Sequence, residues 1–362
     1  MRMIPLLLSL VAAPLAAQEL ILPAGHDVLE GNAIASAFFA TGDARHQWVI
    51  DRSELQALGQ PWVVHEVWFR RDMTSARALA GGVLDVELWA SDTNTPPRAL
   101  SGRFADNRGA AHALCYSGRL TLGTAPASGT VPAAWTESAG QAVRFVLLAP
   151  VTGTGNLCLE LVTHSVAGQP VPGFWVDAVA TQDLGSSRVL GTSCAVGGLT
   201  PRTTVPTETL LPGSDTWLRL ADVPAGRMVV SLLGFTDQTW AGIPLPLALD
   251  QAGAPGCYLY TDWVHVMATV TALPAPGWYS GQAFRRFQLP LDPTLLGGTF
   301  YSQWLILEPG INPLGMVTTH GLEARLASAF PAFAIATVES FDPQAASGRV
   351  LQHFVPVLRL LP

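Results

Sequence analysis

Two carboxylates and an indole occupy alternate positions of one segment, Val83-Leu-Asp-Val-Glu-Leu-Trp-Ala90. Leu84, Val86 and Leu88 alternate with Asp85, Glu87 and Trp89, the period of a strand with one wet face. Asp85 and Glu87 would then share a face, with Cα atoms roughly 7 Å apart. Two carboxyl groups held about 5 to 10 Å apart can hydrolyse a glycosidic bond, and a flat ring beside them can stack on a sugar. The plain alternative is a solvated strand face. Trp278, in Pro274-Ala-Pro-Gly-Trp-Tyr279, is a second candidate platform because its segment reads as a loop. Most of the eleven Trp residues are expected in cores, where large rings bury much area.

Asp92, Asn94, Asp106 and Asn107 offer oxygen ligands on turns, and Ca2+ is the ion such a set would take. Asp and Asn also stabilise turns by bonding their own backbone, so a purely local role explains them as well. Other chemistries lack their residues. No Gly-x-Ser-x-Gly turn is present, and Gly191-Thr-Ser-Cys-Ala195 lacks the closing glycine of a nucleophile elbow. His65-Glu66 has no second histidine at metalloprotease spacing. His112 and His164 read as surface polar positions near strand ends. No CxxC pair occurs, and no basic run exists to follow a phosphate backbone, so nucleic acid is not an expected partner.

The first residues, MRMIPLLLSLVAAPLAAQEL, carry one positive charge, a short apolar stretch and small residues at Ala16 and Ala17. They read as a signal peptide cut after residue 17. Export to the periplasm, the cell surface or the medium is expected. Removing Arg2 would take the formal charge from −7 to −8. Pro and Gly interrupt every later apolar run, so none supplies the roughly 20 residues of a spanning helix.

Four cysteines follow the leader: Cys115, Cys158, Cys194 and Cys257. An even number in an exported chain reads as disulfides, with three pairings open. Position in the chain favours Cys115–Cys158 and Cys194–Cys257, one bridge in each half.

The elements that must position these residues are strands. Gly (34) and Pro (28) are abundant, charge is sparse at 13 %, and 49 % of residues are hydrophobic. That is the composition of an all-β chain with many turns and ample core. Period-two runs include 63–70, 117–122, 143–148, 157–163 and 173–179 in the first half. In the second they include 216–220, 228–235, 265–272, 284–291, 299–307 and 315–325, and the tail 330–361 adds about two more. The fold class is therefore all-β, two sandwich or jelly-roll-like units in tandem. The expected organisation is a leader at 1–17, a first unit at 18–188, a linker at 189–207, and a second unit at 208–362 ending in a strand extension.

Two sets of motifs resemble known secreted modules. Phe235-Thr-Asp-Gln-Thr-Trp240, Gly253-Ala-Pro-Gly-Cys-Tyr258 and Gly298-Thr-Phe-Tyr-Ser-Gln-Trp-Leu-Ile-Leu-Glu-Pro-Gly-Ile-Asn-Pro-Leu-Gly315 resemble a C-terminal module of secreted planctomycete-type proteins, over about 194–325. There a cysteine before the first strand accompanies the cysteine of the GAPGC stretch, which implies Cys194–Cys257. Glu30-Gly-Asn32, Gln47-Trp-Val-Ile-Asp51, Ser101 to Gly109 and Gly155-Asn-Leu-Cys-Leu-Glu160 resemble an uncharacterised secreted module over about 25–180. Aliphatic residues usually stand there in place of Cys115 and Cys158, and the paired departure implies a bridge between neighbouring strands. Neither resemblance brings catalytic residues. The expected function is a non-enzymatic exported protein with a structural, adhesive or glycan-binding role at the cell surface. The alternative is a secreted hydrolase or lyase that uses a carboxylate pair in a sheet groove. The partners expected are polysaccharide or cell-surface components.

Overall fold

The computed structural model describes residues 18–73, 77–127, 132–181, 183–273, 279–331 and 333–362, without the side chains of 35–38. The leader expected at 1–17 and the candidate Trp278 lie outside the described residues. Within them the chain is all-β, and every helical element is a 3-10 turn of three to five residues. No helix there is long and apolar enough to cross a membrane.

The first half contributes β1 (Leu20–Leu22), β2 (Ala33–Phe39), β3 (Ala44–Ile50), β4 (Trp62–Arg70), β5 (Gly82–Thr93), β6 (Ala113–Leu122), β7 (Ala142–Gly153), β8 (Asn156–Ser165) and β9 (Phe174–Ala180). Then follow β10 (Ser186–Leu190), β11 (Arg202–Thr204), β12 (Asp215–Val223) and β13 (Met228–Gly234). Two small ladders join β14 (Thr239–Trp240) to β15 (Ile243–Pro244) and β16 (Leu247–Ala248) to β17 (Tyr258–Leu259). Next come β18 (His265–Val270), β19 (Gly281–Gln288), β20 (Thr299–Leu307), β21 (Met316–Thr318) and β22 (Gly321–Arg325). The tail forms β23 (Ile335–Ser340), β24 (Arg349–Leu351), β25 (Phe354–Pro356) and β26 (Leu358–Leu361).

These strands enclose two large hydrophobic cores and a smaller cluster around Leu100, Phe104 and Cys158. Around the first lie the sheets β24-β23-β3-β8-β5-β6, β1-β26-β4-β7 and β2-β9-β25. Trp48, Leu88, Leu159, Phe69, Phe145 and Phe174 meet between them. Around the second lie β10-β22-β20-β13-β18, with β21 on β20, and β11-β12-β19. Leu218, Leu220, Val229, Trp304 and Ile306 fill it. The period-two pattern explains the burial: along β12, Leu218 and Leu220 are buried while Trp217 and Arg219 turn outward.

The tail departs from the grouping expected from the sequence. Its strands pair with the first half, β23 on β3, β25 on β9, and β26 between β4 and β1. Val350, Val355, Leu358 and Leu360 are fully buried there, which is why the chain returns.

Cys194 and Cys257 form a disulfide, with Cα atoms 5.5 Å apart. Cys115 and Cys158 do not; both are free thiols. The expected bridge fails on two counts. β5 lies between their strands, so their Cα atoms are roughly 10 Å apart, beyond the reach of a disulfide. They also face opposite sides of the sheet: Cys115 packs in the first core, and Cys158 under the covering segment with Leu100 and Phe104.

Candidate functional site

The β5 face forms as the alternation implied, and its side chains serve one another. Asp85 pairs with Arg119 at 3.0 Å, both well exposed. Glu87 accepts a bond from the Trp89 indole at 3.1 Å, and the Trp89 ring stacks on His112 with centroids 5.9 Å apart. The oxygen-ligand candidates likewise bond within the fold, and Asp92 stands at the end of β5 rather than on a turn. Asp92 accepts the backbone N–H groups of Gly155 and Thr154. Asp106 accepts the Ser101 hydroxyl, and Asn94 is exposed. Asn107 is fully buried and bonds Gln47 and the backbone of Ser101. Asp92 and Asp106 thus close two different turns.

Beside this face lies an acid centre that the sequence reading did not single out. Glu160, 1 % exposed, takes both oxygens into bonds: from Arg45 and Arg108 at 2.8 and 2.7 Å, and from the Gln47 amide at 2.8 Å. Burial alone would push this carboxyl up; the nearby His112 ring, the Arg108 bonds and the charges of Arg45 and Arg108 outweigh it and hold it at about 2. His112 Nε2 lies 3.5 Å from Glu160, and its Nδ1 lies 3.1 Å from the Ser91 hydroxyl. This is the order of a serine–histidine–acid array, but Ser91 is 2 % exposed and its hydroxyl accepts the Gly109 N–H. A substrate has no route to it, so the array fastens the 101–109 segment onto the sheet. Gly109 must be glycine, because a Cβ would stand 1.7 Å from the Asp92 carbonyl.

A second acid centre joins Glu30, Asp72 and Asp177, whose carboxylate oxygens lie within 4.8 Å of one another. Arg70 and Asp177 are fully buried and ion-paired. Arg70 also donates to the carbonyls of His26 and Leu29, which pins the 26–31 segment. Burial, then the neighbouring carboxylates, push Glu30 up to about 7 against the pull of the Met73 N–H and Arg70. Asp177 is raised for the same first reason.

The concave site lies elsewhere. A cleft of about 990 Å3 opens between the outward face of β12 and β19 and the hairpin of β23 and β24. One wall carries Trp217, Phe284 and Arg286; the facing wall carries Glu339, Arg349 and His353. The register sets both walls: Trp217 stands opposite Arg286, and Glu339 opposite Arg349. Arg349 bonds Glu339 at 2.8 Å and lies 5.2 Å from the centre of the Trp217 ring, in range of a cation–π contact. Asp215 accepts the Val350 N–H at 3.0 Å, tying the two walls together. Burial raises Glu339, and Arg349 pulls it back. Burial lowers His46 to about 3, and burial with the Arg349 charge lowers His353 to about 4, so both imidazoles are neutral at physiological pH. His353 is 5 % exposed, and its Nδ1 has no hydrogen-bond partner among the described residues.

None of the sequence candidates on β5 lines this cleft. Its residues come from distant stretches, Ile34, His46, 215–217, 284–288 and 337–354, which is why spacing along the chain did not reveal it. One signal was available: Thr216 to Leu220 alternates as β5 does, and places Trp217 and Arg219 on a wet face.

No protein-family model matches the chain, and no curated protein matches it. Among solved structures, the chain is similar at 10 % identity and a TM-score of 0.16 to one from Bacteroides fragilis described as a "putative beta-galactosidase". The match covers 79 % of this chain, which spans about a third of that one's length (34 %).

Proposed function

We propose that this is an exported, non-enzymatic protein that binds polysaccharide in the cleft between β12–β19 and β23–β24. The observation that carries the reading is the pairing of a half-exposed indole, Trp217, with a wall of neutral and charged hydrogen-bonding groups. Sugars present apolar C–H faces that suit a flat ring and hydroxyls that both donate and accept. A neutral imidazole such as His353 can do both in return. The volume lies within the range of ligand sites. The Cys194–Cys257 bond supports export, since disulfides persist in oxidising compartments. Glycan-array screening followed by calorimetry tests the proposal. Trp217→Ala should weaken the best polysaccharide ligand by about tenfold, or roughly 1.4 kcal/mol. Unchanged affinity in that variant would overturn the cleft assignment.

One observation favours a hydrolase in the same cleft: burial holds the Glu339 carboxyl above its ordinary range, as a general acid requires. That reading expects release of reducing ends from a bound polysaccharide, lost in Glu339→Gln. Binding without release keeps the non-enzymatic reading.

A further inference from the structure

β18 ends the sheet β10-β22-β20-β13-β18, and among the described residues no strand pairs its outer side. Its sequence, His265-Val-Met-Ala-Thr-Val270, holds no Lys, Arg, Asp, Glu or Pro. Its register with β13 runs unbroken from Met228↔Val270 to Leu233↔His265, so no bulge turns the edge away. Natural sheets guard their edges with charges, prolines or bulges. The opposite edge of the same sheet, β10, is guarded: Arg188 projects from it and pairs with Glu323. The face beside β18 is apolar as well. Val266 and Val270 stand next to Leu232 and Met228 in register, and Val266, Val270 and Met228 are about half exposed, at 49, 58 and 53 %.

We propose that β18 pairs antiparallel with β18 of a second copy, making a twofold dimer with one continuous sheet. A strand paired antiparallel with its own copy is twofold by construction, so the contact closes on itself. The ladder alternates, so the axis must pass through a residue, either Met267 or Ala268. With the axis at Ala268, Val266 meets Val270 and Ala268 meets itself; with the axis at Met267, Val266 meets Ala268 and Val270 meets Val264. In both registers these residues share one face, and no like charges oppose. Val264 and Leu273, 65 and 47 % exposed, flank the strand and extend the patch. The patch amounts to on the order of 500 Å2 per copy, so pairing removes roughly 1,000 Å2, the lower limit of a specific interface. A reversible dimer in the micromolar range is the consequence.

Sedimentation of the mature chain from about 1 to about 200 µM tests this. The expected result is a monomer–dimer equilibrium whose dissociation constant rises at least tenfold in Ala268→Lys and is unchanged in Leu148→Lys, an exposed residue of β7. A monomer at every concentration, a dimer indifferent to Ala268→Lys, or chains growing beyond two copies would each overturn the proposal. Should Ala268→Lys fail to fold, Met267→Cys and Ala268→Cys read the same contact. One of the two should form a disulfide-linked dimer on mild oxidation, and failure of both refutes the pairing.

Discussion

Two buried acid centres on the first core's sheets reach opposite outcomes. Around Glu160 the ratio of charges favours the anion: one carboxylate faces Arg45, Arg108 and the Gln47 amide. Around Glu30 three carboxylates crowd one buried guanidinium, Arg70. The second cation nearby, Arg71, spends its guanidinium on the carbonyls of Arg77 and Pro126. Burial pushes both glutamates the same way. What differs is how many opposing charges each must share, and that decides whether the anion or the acid is the native form.

The sharpest way to break this contrast is Glu160→Gln, which leaves Arg45 and Arg108 without their anion. It should cost about 3 kcal/mol at pH 7, read from urea unfolding. Glu160 sits at about 2 in the fold against an ordinary 4.5. Its contribution is therefore complete above about pH 5 and lost as pH falls through 2, and the gap between variant and parent should close over that window. A pH-independent gap would show that shape, not charge, is what Glu160 supplies.

Glu30→Gln should act in the opposite sense. The folded value of about 7 lies above the ordinary 4.5, so the fold is penalised increasingly as pH rises from 4.5 to 7. The variant should be more stable at pH 8 by about 1 kcal/mol after solvent screening, and no different below about pH 4. Loss of stability at pH 8 would mean that the crowded centre prefers its charge. The smallest effect is expected on β5, where Asp85→Ala removes an exposed pair with Arg119 and should leave the melting temperature unchanged in a thermal scan.

Strands with one wet face were legible. The run at 299–307 is β20, and 63–70 and 228–235 lie within a few residues of β4 and β13; 157–163 lies within β8, which is buried on both faces but still alternates Leu157, Leu159 and Leu161 with other residue types. β3 was not legible, because it is buried on both faces: His46 and Gln47 are as hidden as Val49 and Ile50, so no alternation survives. The cysteines show the limit of chain position: it paired Cys194 with Cys257, whereas the sheet order that separates Cys115 from Cys158 is invisible to spacing. The cleft was illegible for a related reason. Trp217, Arg286 and Glu339 become neighbours only after the tail has crossed back.

That crossing orders assembly in time. β26 fills the slot between β1 and β4, so Leu360 lies opposite Leu20. The sheet begun by the first strand stays open until the last strands have left the ribosome. The second core draws on one uninterrupted stretch and can close beforehand. Anything that delays the final strands leaves the earliest-made half of the protein exposed to proteases while the later-made half is already shut.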